Sequence, residues 1–143
     1  RLLILGEGEL RAEFEALVVD LGLKDVVDLP GFDANPYAYF KYASLFVLSS
    51  NWEGLPGVLI QALASKLKVV STNCPSGPME ILEHSKFGLL VECNDQAGLT
   101  QAMQQAIFAD YVQYQEADFE AHIQQFHKQT VLKQYLRMME SAS

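Results

Sequence analysis

The sequence predicts an α/β domain with a Rossmann-like open parallel sheet, helices on both faces and a helical C-terminal tail. Short apolar runs alternate with segments of helical periodicity, the pattern of strands joined by helices. The runs are apolar at successive residues, as strands covered on both faces should be. A length of 143 residues and a hydrophobic fraction of 50% fit a single compact domain over residues 1–143.

The first half of the chain contains three predicted strands, at Leu2–Leu5, Val26–Leu29 and Leu45–Leu48. A helix follows the first strand, because apolar residues recur at helical spacing before a glycine suited to end it. These residues are Leu10, Phe14, Leu17, Val18 and Leu21, and the glycine is Gly22. A short helix starts at Asn35-Pro36, with Asn as N-cap and Pro at the first helical position. Its aromatic residues are expected to pack in and over the core: Tyr37, Tyr39, Phe40 and Tyr42.

The second half continues the alternation of strands and helices. The elements expected there are a helix from about Pro56 to Ser65, a strand at Val69–Thr72, a short helix at Met79–Glu83 and a strand at Gly88–Val91. Asp95 is the predicted N-cap of a tail of two or three helices, with a break near Ala117-Asp118. The apolar residues of the tail predict amphipathic helices that cover the domain. They are Phe108, Tyr111, Phe119, Ile123, Phe126 and Leu132.

The chain is acidic, with a formal net charge of -8 from 18 acidic and 10 basic residues. This balance argues against nucleic acid and anionic lipid as partners, since both need a basic surface. A small anionic ligand stays compatible, because helix N-termini and backbone amides bind phosphate without net positive charge. Two cysteines, Cys74 and Cys93, make no disulfide framework and are expected to be reduced, buried and cytosolic. The three histidines are scattered, so no metal site is expected.

Four predicted strands end in segments rich in glycine, proline or small polar residues. Parallel sheets bind ligands at this edge, and glycine lets the backbone approach a ligand closely. The segments are Gly6-Glu7-Gly8, Pro30-Gly31-Phe32, Ser49–Pro56 and Asn73–Pro78. Ordinary turn chemistry explains such a composition equally well. A dinucleotide-binding loop is not supported, because Arg11 stands where its third glycine should be.

The most informative stretch runs from Ser49 to Ala64. A strand ends there, a loop carries the carboxylate of Glu53, and a helix begins at Gly54-Leu55-Pro56. The free amides of that helix start are suited to an incoming diphosphate. Gln61 follows Glu53 by eight residues, about two helical turns, so both can point toward one ligand.

This stretch resembles the Glu-x7-Glu signature of family-4 retaining glycosyltransferases, whose usual form is Glu-Gly-(Leu/Phe)-Pro followed by an apolar helix with a second Glu. The resemblance covers residues 1 to roughly 105 and rests on several segments in the right order. These are Leu2–Arg11, Leu29–Phe32, Asn35-Pro36-Tyr37, Cys74–Leu82 and Gly88–Val91. The form of Cys74–Leu82 looks like members that transfer hexoses or N-acetylhexosamines in surface-polysaccharide assembly.

The resemblance implies roles for particular residues. Glu53 would be the catalytic residue that contacts donor-sugar hydroxyls and steadies charge near the anomeric carbon. Gln61 would bind the ribose hydroxyls, and Pro30-Gly31-Phe32 would lie beside the base. Glu80 fits the family pattern, although a plain helix-start role explains it better. The implied donor-binding residues are Gly6, Gly31, Phe32, Gly54, Leu55, Pro56, Gly57, Gln61 and Glu80.

The same resemblance implies the reaction and the partners. The chain would be the nucleotide-sugar-binding half of a GT-B enzyme, with its first strand and an N-terminal acceptor domain absent, and would transfer no sugar alone. The donor would be a nucleotide diphosphate sugar, with UDP the expected nucleotide, and the anomeric configuration would be retained without a metal ion or other cofactor. The acceptor would be a glycan or a lipid-linked glycan bound through the absent domain. The expected location is the cytoplasm, peripheral to the inner face of the membrane.

Three residues depart from the family pattern. Gln61 replaces the second Glu, so one acceptor oxygen and an amide stand in for a carboxylate. Lys66 and Lys68 replace a helix-ending Gly and a Pro. These departures keep a second hypothesis open, a degenerate, non-catalytic module kept for nucleotide binding or assembly. A third, a flavodoxin-like regulatory domain, is disfavoured because no predicted strand ends in paired Asp residues.

Overall fold

The computed structural model describes residues 1–109 and 114–141. Its elements fall into two compact units, which divide between Ala38 and Tyr39. Each unit has its own parallel sheet. The predicted strands are therefore present and parallel, but they belong to two sheets.

The first unit contains a two-stranded sheet and one long helix. Strand β1 (Leu2–Leu5) pairs in parallel with β2 (Val27–Gly31), and α1 (Arg11–Asp20) connects them. Gly22 ends α1 as predicted, since it adopts a φ of 68°. Its amide and that of Leu23 donate to the carbonyls of Val19 and Val18 at 3.0 and 2.9 Å. This pair of bonds is the Schellman motif, which satisfies the last carbonyls of a helix.

Two predictions for the first unit are wrong. Strand β1 is not buried on both faces, because its residues Leu2, Leu3 and Ile4 are 44%, 40% and 42% exposed. Within this unit, β2 and α1 provide too little surface to cover it, and α1 itself has no buried residue. Strand β2 also continues through Pro30-Gly31, which was expected to stop it. Proline is tolerated there because β2 lies at an edge of its sheet.

The second unit contains a three-stranded parallel sheet in the order β3-β4-β5. The short helix α2 (Tyr37–Phe40) lies across the division between the units. The elements that follow are β3 (Leu45–Leu48), α3 (Gly57–Ala64), β4 (Lys68–Thr72), α4 (Pro78–Ile81), β5 (Leu89–Val91), α5 (Gln96–Phe108), α6 (Glu116–Gln124) and α7 (Lys128–Ser141).

The central strand β4 separates two apolar clusters. Val69 belongs to a cluster with Leu59 of α3 and Ile81 of α4. Its neighbour Val70 points to the opposite face and packs with Ala102 and Ala106 of α5. Helices therefore cover both faces of this sheet, as predicted, and all strand carboxyl ends meet at one edge.

The helical tail differs from the prediction in its boundaries. Asp95 caps α5 as expected, since its side chain accepts from the Gly98 amide at 2.9 Å. The break predicted near Ala117-Asp118 comes slightly earlier, because α5 ends at Phe108 and α6 already begins at Glu116. Helix α4 ends at Ile81, two residues before the predicted end, where the backbone turns to positive φ values. These values occur at Glu83, His84 and Ser85.

The aromatic residues divide between core and surface. Phe40 and Phe119 are buried, and Ile123 and Phe126 pack against the same cluster. Several residues expected to cover or fill the core are instead exposed: Tyr37, Tyr42, Phe108 and Leu132. Phe108 is the last residue of α5, and the residues of α5 that pack inward are Leu99, Ala102 and Ala106, so Phe108 falls beyond the packed surface. Tyr111 lies outside the described residues.

Candidate functional site

The candidate site lies in the second unit, where the loops after β3 and β4 meet at the carboxyl edge of the sheet. Two backbone hydrogen bonds join these loops at Glu53. Its amide donates to the Pro75 carbonyl at 3.1 Å, and its carbonyl accepts from the Ser76 amide at 2.9 Å. The backbone position of Glu53 is therefore fixed from two sides.

The Glu53 side chain is half-buried and held by a hydroxyl. Ser50 Oγ donates to Glu53 Oε1 at 2.7 Å. The Ser50 carbonyl in turn accepts from Oγ1 of the buried Thr72. Among the described residues, no hydrogen-bond partner occurs for Glu53 Oε2, so one carboxylate oxygen is left for a ligand. Sequence reasoning missed Ser50 and Thr72, although Ser50 stands only three residues before Glu53.

Helix α3 begins four residues after Glu53 in the chain and has an open N-terminus. Pro56 is its N-cap, and no side chain caps the first turn. The first amide bonded within the helix is that of Leu59, which donates to the Pro56 carbonyl at 3.0 Å. The amides of Gly57 and Val58 have no acceptor among the described residues. They point out of the positive end of the helix dipole and are suited to an anion.

Two glycines leave room around this helix start. A Cβ atom placed on Gly54 or Gly57 would meet nothing within 4 Å. The protein itself therefore leaves the predicted diphosphate position open at both glycines. Leu55 between them is exposed, and Pro56 is buried beneath the loop.

Gly77 allows the loop after β4 to pack against this start. Its φ of 100° is one that side-chain-bearing residues rarely adopt. A Cβ atom there would lie 2.6 Å from Pro56 Cδ and 2.7 Å from the Gly54 carbonyl oxygen. The neighbouring Ser76 Oγ also donates to the Gly54 carbonyl, at 3.2 Å. Gly77 is a further residue of the site that sequence reasoning passed over as an ordinary turn glycine.

The two remaining predicted residues of this unit differ in placement. Gln61 is half-buried and lies one turn after Gly57 on the same face of α3. Side chains in a helix tilt toward its N-terminus, so Gln61 is directed toward the open side at Gly57. Glu80 is exposed in the first turn of α4. Among the described residues, it makes no hydrogen bond or ion pair with the Glu53 loop.

The other predicted residues form a separate group in the first unit. The Gly6 amide donates to the Gly31 carbonyl at 2.9 Å, which joins the ends of β1 and β2. Gly31 has a φ of 93°, and the Glu7 carboxylate occupies the space where its Cβ would stand. Phe32, the next residue, is 76% exposed.

Arg11 organises this second group. Its guanidinium donates to Glu7 at 2.8 Å and to the Leu29 carbonyl at 2.6 Å. The hydrogen bond with Glu7 is the main cause that raises the pKa of Arg11, and Glu15 adds to it. The residue that displaces a dinucleotide-type glycine therefore ties α1 to the end of β2.

Neither a metal-binding cluster nor a membrane-spanning helix occurs in residues 1–109 and 114–141. No group of three or more His, Cys, Asp or Glu side chains could hold a metal ion there. None of the described helices combines the length and apolar character that a membrane crossing requires.

Comparisons with known proteins agree on one protein family. The model of the family described as glycosyl transferases group 1 matches residues 1–136. The N-acetylgalactosamine-N,N'-diacetylbacillosaminyl-diphospho-undecaprenol 4-alpha-N-acetylgalactosaminyltransferase of Campylobacter jejuni is 42% identical over 103 residues, which are 72% of this chain. Those residues are 28% of that relative, and other curated relatives are covered to between 11% and 42%. The chain therefore spans less than half the length of these relatives.

Solved structures confirm the α/β fold. The apo lipopolysaccharide outer core galactosyltransferase WaaB superposes with a TM-score of 0.84 at 22% identity, over 100% of this chain and 41% of that one. An S. aureus TarM mutant in complex with fondaparinux, alpha-GlcNAc-glycerol and UDP superposes with a TM-score of 0.82 at 25% identity. That match covers 94% of this chain and 28% of the TarM chain.

Proposed function

Because the chain belongs to the glycosyl transferases group 1, whose model matches residues 1–136, we propose that it binds the nucleotide diphosphate sugar of a retaining, family-4 glycosyltransferase. UDP is the proposed nucleotide, which the UDP complex of the TarM neighbour supports. In this proposal the chain is the C-terminal, donor-binding half of a GT-B enzyme. The half-buried Glu53 carboxylate, in the loop that leads directly into the open N-terminus of α3, is the observation that carries the proposal.

The helix start is the proposed diphosphate site. The amides of Gly57 and Val58 would donate to phosphate oxygens, and the open space at Gly54 and Gly57 would admit the phosphates. As the bond between sugar and diphosphate breaks, negative charge grows on the departing phosphate. Fixed amide donors stabilise that charge without a metal ion, because they need no reorganisation during the reaction.

The carboxylate of Glu53 is the proposed contact to the sugar. Positive charge develops at the anomeric carbon in an oxocarbenium-like transition state, and a nearby carboxylate stabilises it electrostatically. Ser50 occupies Oε1, which leaves Oε2 for a sugar hydroxyl. Gln61 is the proposed contact to the ribose. The roles of Gly6, Gly31, Phe32 and Glu80 stay predictions from the family resemblance.

The acceptor is proposed from the relatives. The Campylobacter relative is named for transfer onto a diphospho-undecaprenol-linked sugar, which supports a lipid-linked or glycan acceptor for this chain as well. This chain covers 28% of that relative, which supports a second domain that would bind the acceptor. Its placement against the inner face of the membrane stays a prediction from the family resemblance.

Substitution of Glu53→Gln tests the role of the carboxylate. The chain is titrated by calorimetry with UDP and with a panel of UDP-hexoses and UDP-N-acetylhexosamines. We expect the best UDP-sugar to bind about tenfold more weakly, since a charged hydrogen bond becomes a neutral one. Affinity for UDP should stay unchanged, because UDP carries no sugar for the carboxylate to contact.

Glu9→Gln is the matched control, since Glu9 is exposed and belongs to the first unit, whereas the Glu53 loop belongs to the second. It should leave both affinities unchanged. Equal UDP-sugar affinity in wild-type and Glu53→Gln chains would refute the role of Glu53. Failure of the wild-type chain to bind any nucleotide in the panel would refute the proposed function itself.

A further inference from the structure

The two free cysteines stand at the ends of neighbouring strands. In the parallel pairing of β4 and β5, Thr72 lies opposite Val91. The Asn73 amide donates to the Val91 carbonyl at 2.7 Å, so the ladder continues past the end of β4. Extended by two residues beyond each strand end, that register would bring Cys74 opposite Cys93. Neighbouring strands lie about 4.8 Å apart, within the separation of roughly 4.4–6.8 Å that disulfide-linked Cα atoms take.

The side chains of both cysteines converge on one point. Cys93 Sγ lies 4.0 Å from the Ser50 carbonyl oxygen, which also accepts from Thr72 Oγ1. The Cys74 side chain forms a hydrogen bond with the same Thr72. Burial raises the pKa of the Cys74 thiol, and the closeness of Cys93 and Glu53 raises it further. Both sulfurs therefore lie beside the Ser50 segment that holds Glu53.

The two thiols differ in access to solvent. Cys74 is 3% exposed, whereas Cys93 is only partly buried. A thiol that an oxidant can reach, next to a buried thiol that it cannot, is the arrangement of an attacking and a resolving cysteine.

We propose that Cys74 and Cys93 form a reversible redox site, closing to an intrachain disulfide under the carboxylate loop. The oxidant is a small disulfide such as oxidised glutathione. The Cys93 thiolate attacks it, forms a mixed disulfide and releases one glutathione thiolate. The Cys74 thiolate then attacks the Cys93 sulfur, closes the protein disulfide and releases the second glutathione thiolate. Two protein thiols are oxidised, and one oxidised glutathione is reduced to two thiols that take up the two protons.

The disulfide would alter the surroundings of Glu53. Cys93 Sγ would move from the Ser50 carbonyl toward Cys74, next to the Ser50–Glu53 hydrogen bond. Oxidation would then change the affinity for a UDP-sugar, a consequence that rests on the proposed function. The proposed disulfide does not depend on the proposed function, since the disulfide forms without a nucleotide.

A glutathione equilibrium tests the geometry. The chain is equilibrated with mixtures of reduced and oxidised glutathione in native buffer and in urea, quenched with acid, and analysed by peptide mass mapping. We expect a peptide pair linked through Cys74 and Cys93. We also expect its equilibrium constant to be at least about tenfold higher in the native chain than in urea, because the fold holds the thiols together.

The single variants Cys74→Ser and Cys93→Ser serve as controls and should yield only mixed disulfides with glutathione. An equilibrium constant in native buffer equal to or below that in urea would overturn the proposal. Linkage between chains in place of linkage within one chain would overturn it as well. Loss of nucleotide binding with the thiol equilibrium intact would count against the proposed function alone.

Discussion

The Ser50 hydroxyl holds one oxygen of the Glu53 carboxylate at 2.7 Å, from only three residues away. Thr72 supports it from β4 by donating to the Ser50 carbonyl. A carboxylate held in this way loses little rotamer freedom when a ligand binds, so the hydroxyl contributes to affinity without touching the ligand.

Substitution of Ser50→Ala should therefore weaken UDP-sugar binding and leave UDP binding intact. The lost hydrogen bond corresponds to about 0.5–1.5 kcal/mol, or roughly a twofold to twelvefold weaker affinity. Calorimetric titration of both ligands measures it. Ser49→Ala is the matched control, since Ser49 is an exposed serine directly beside Ser50 in the chain. Parallel losses for UDP and UDP-sugar would contradict the idea that Ser50 acts through the sugar contact.

Gln61 stands where the resembling family has its second Glu. If Gln61 contacts ribose hydroxyls, Gln61→Glu should tighten UDP binding by about tenfold, because a carboxylate accepts stronger hydrogen bonds than an amide. Titration with UDP measures the gain, and the exposed Gln104→Glu in α5 is the matched control. An unchanged affinity would favour the degenerate, non-catalytic module.

Helices α1 and α3 both end in a Schellman motif, with a glycine in the left-handed position after α1 and a lysine in that position after α3. Gly22 ends α1 at a φ of 68°, and Lys66 ends α3 at a φ of 59°. After α3, the Lys66 and Leu67 amides donate to Leu63 and Ala62 at 2.7 and 3.1 Å. Lys66 therefore takes the left-handed position of the helix-ending Gly that it replaces in the family pattern. Its ammonium pairs with Glu116 of α6, whose hydrogen bond is the main cause that raises the Lys66 pKa.

Substitution of Lys66→Gly should stabilise the chain, because glycine adopts a left-handed conformation without strain. We expect the Tm to rise by about 3 °C. Lys66→Ala is the control that removes the exposed ion pair and keeps a side chain in the left-handed position, and it should shift the Tm by about 1 °C at most. Thermal unfolding followed by circular dichroism measures both. A lower Tm for Lys66→Gly than for Lys66→Ala would show that relief of backbone strain at this position does not govern the stability of the chain.

Lys68, the other basic departure from the family pattern, has a structural role. Its ammonium donates to the Ala106 carbonyl at 2.8 Å and to the Ala109 carbonyl at 3.4 Å. These carbonyls lie at the C-terminal end of α5, where a cation is favoured by the helix dipole. Lys68 therefore links β4 to the C-terminal end of α5.

The chain as a whole is unevenly buried. The first unit leaves most of β1 and α1 exposed, whereas Val69, Val70 and Ser71 of β4 in the second unit are fully buried. Segments with few buried contacts open at lower free energy than a central strand does.

Hydrogen exchange should report this difference. We expect the amides of β1 and α1 to exchange about a hundredfold faster than those of β4, once sequence effects on intrinsic exchange are removed. Mass spectrometry of peptides from Leu2–Asp20 and Lys68–Thr72 measures it. Equal protection of the two segments would mean that the chain unfolds as one cooperative body.

The sequence by itself determined the class of fold and predicted the loop that carries Glu53 as the site. Buried strands appear in the sequence as apolar runs, and helix ends carry local signals such as Gly22 and Asp95. Strands and helix ends can therefore be predicted from residues that are neighbours in the chain. The position of Glu53 before an uncapped helix is equally local, because strand, loop and helix follow one another in the chain.

Only the tertiary structure decided which residues meet across distant segments. The strands divide between two sheets. The support of Ser50 by Thr72, the closeness of Gly77 to Pro56 and the contact of Cys93 with the Ser50 carbonyl each join separate loops. The buried His122 likewise joins distant segments, since its Nε2 lies 2.7 Å from the Ile81 carbonyl oxygen. Such contacts depend on strand register and packing, which no local pattern of residues specifies.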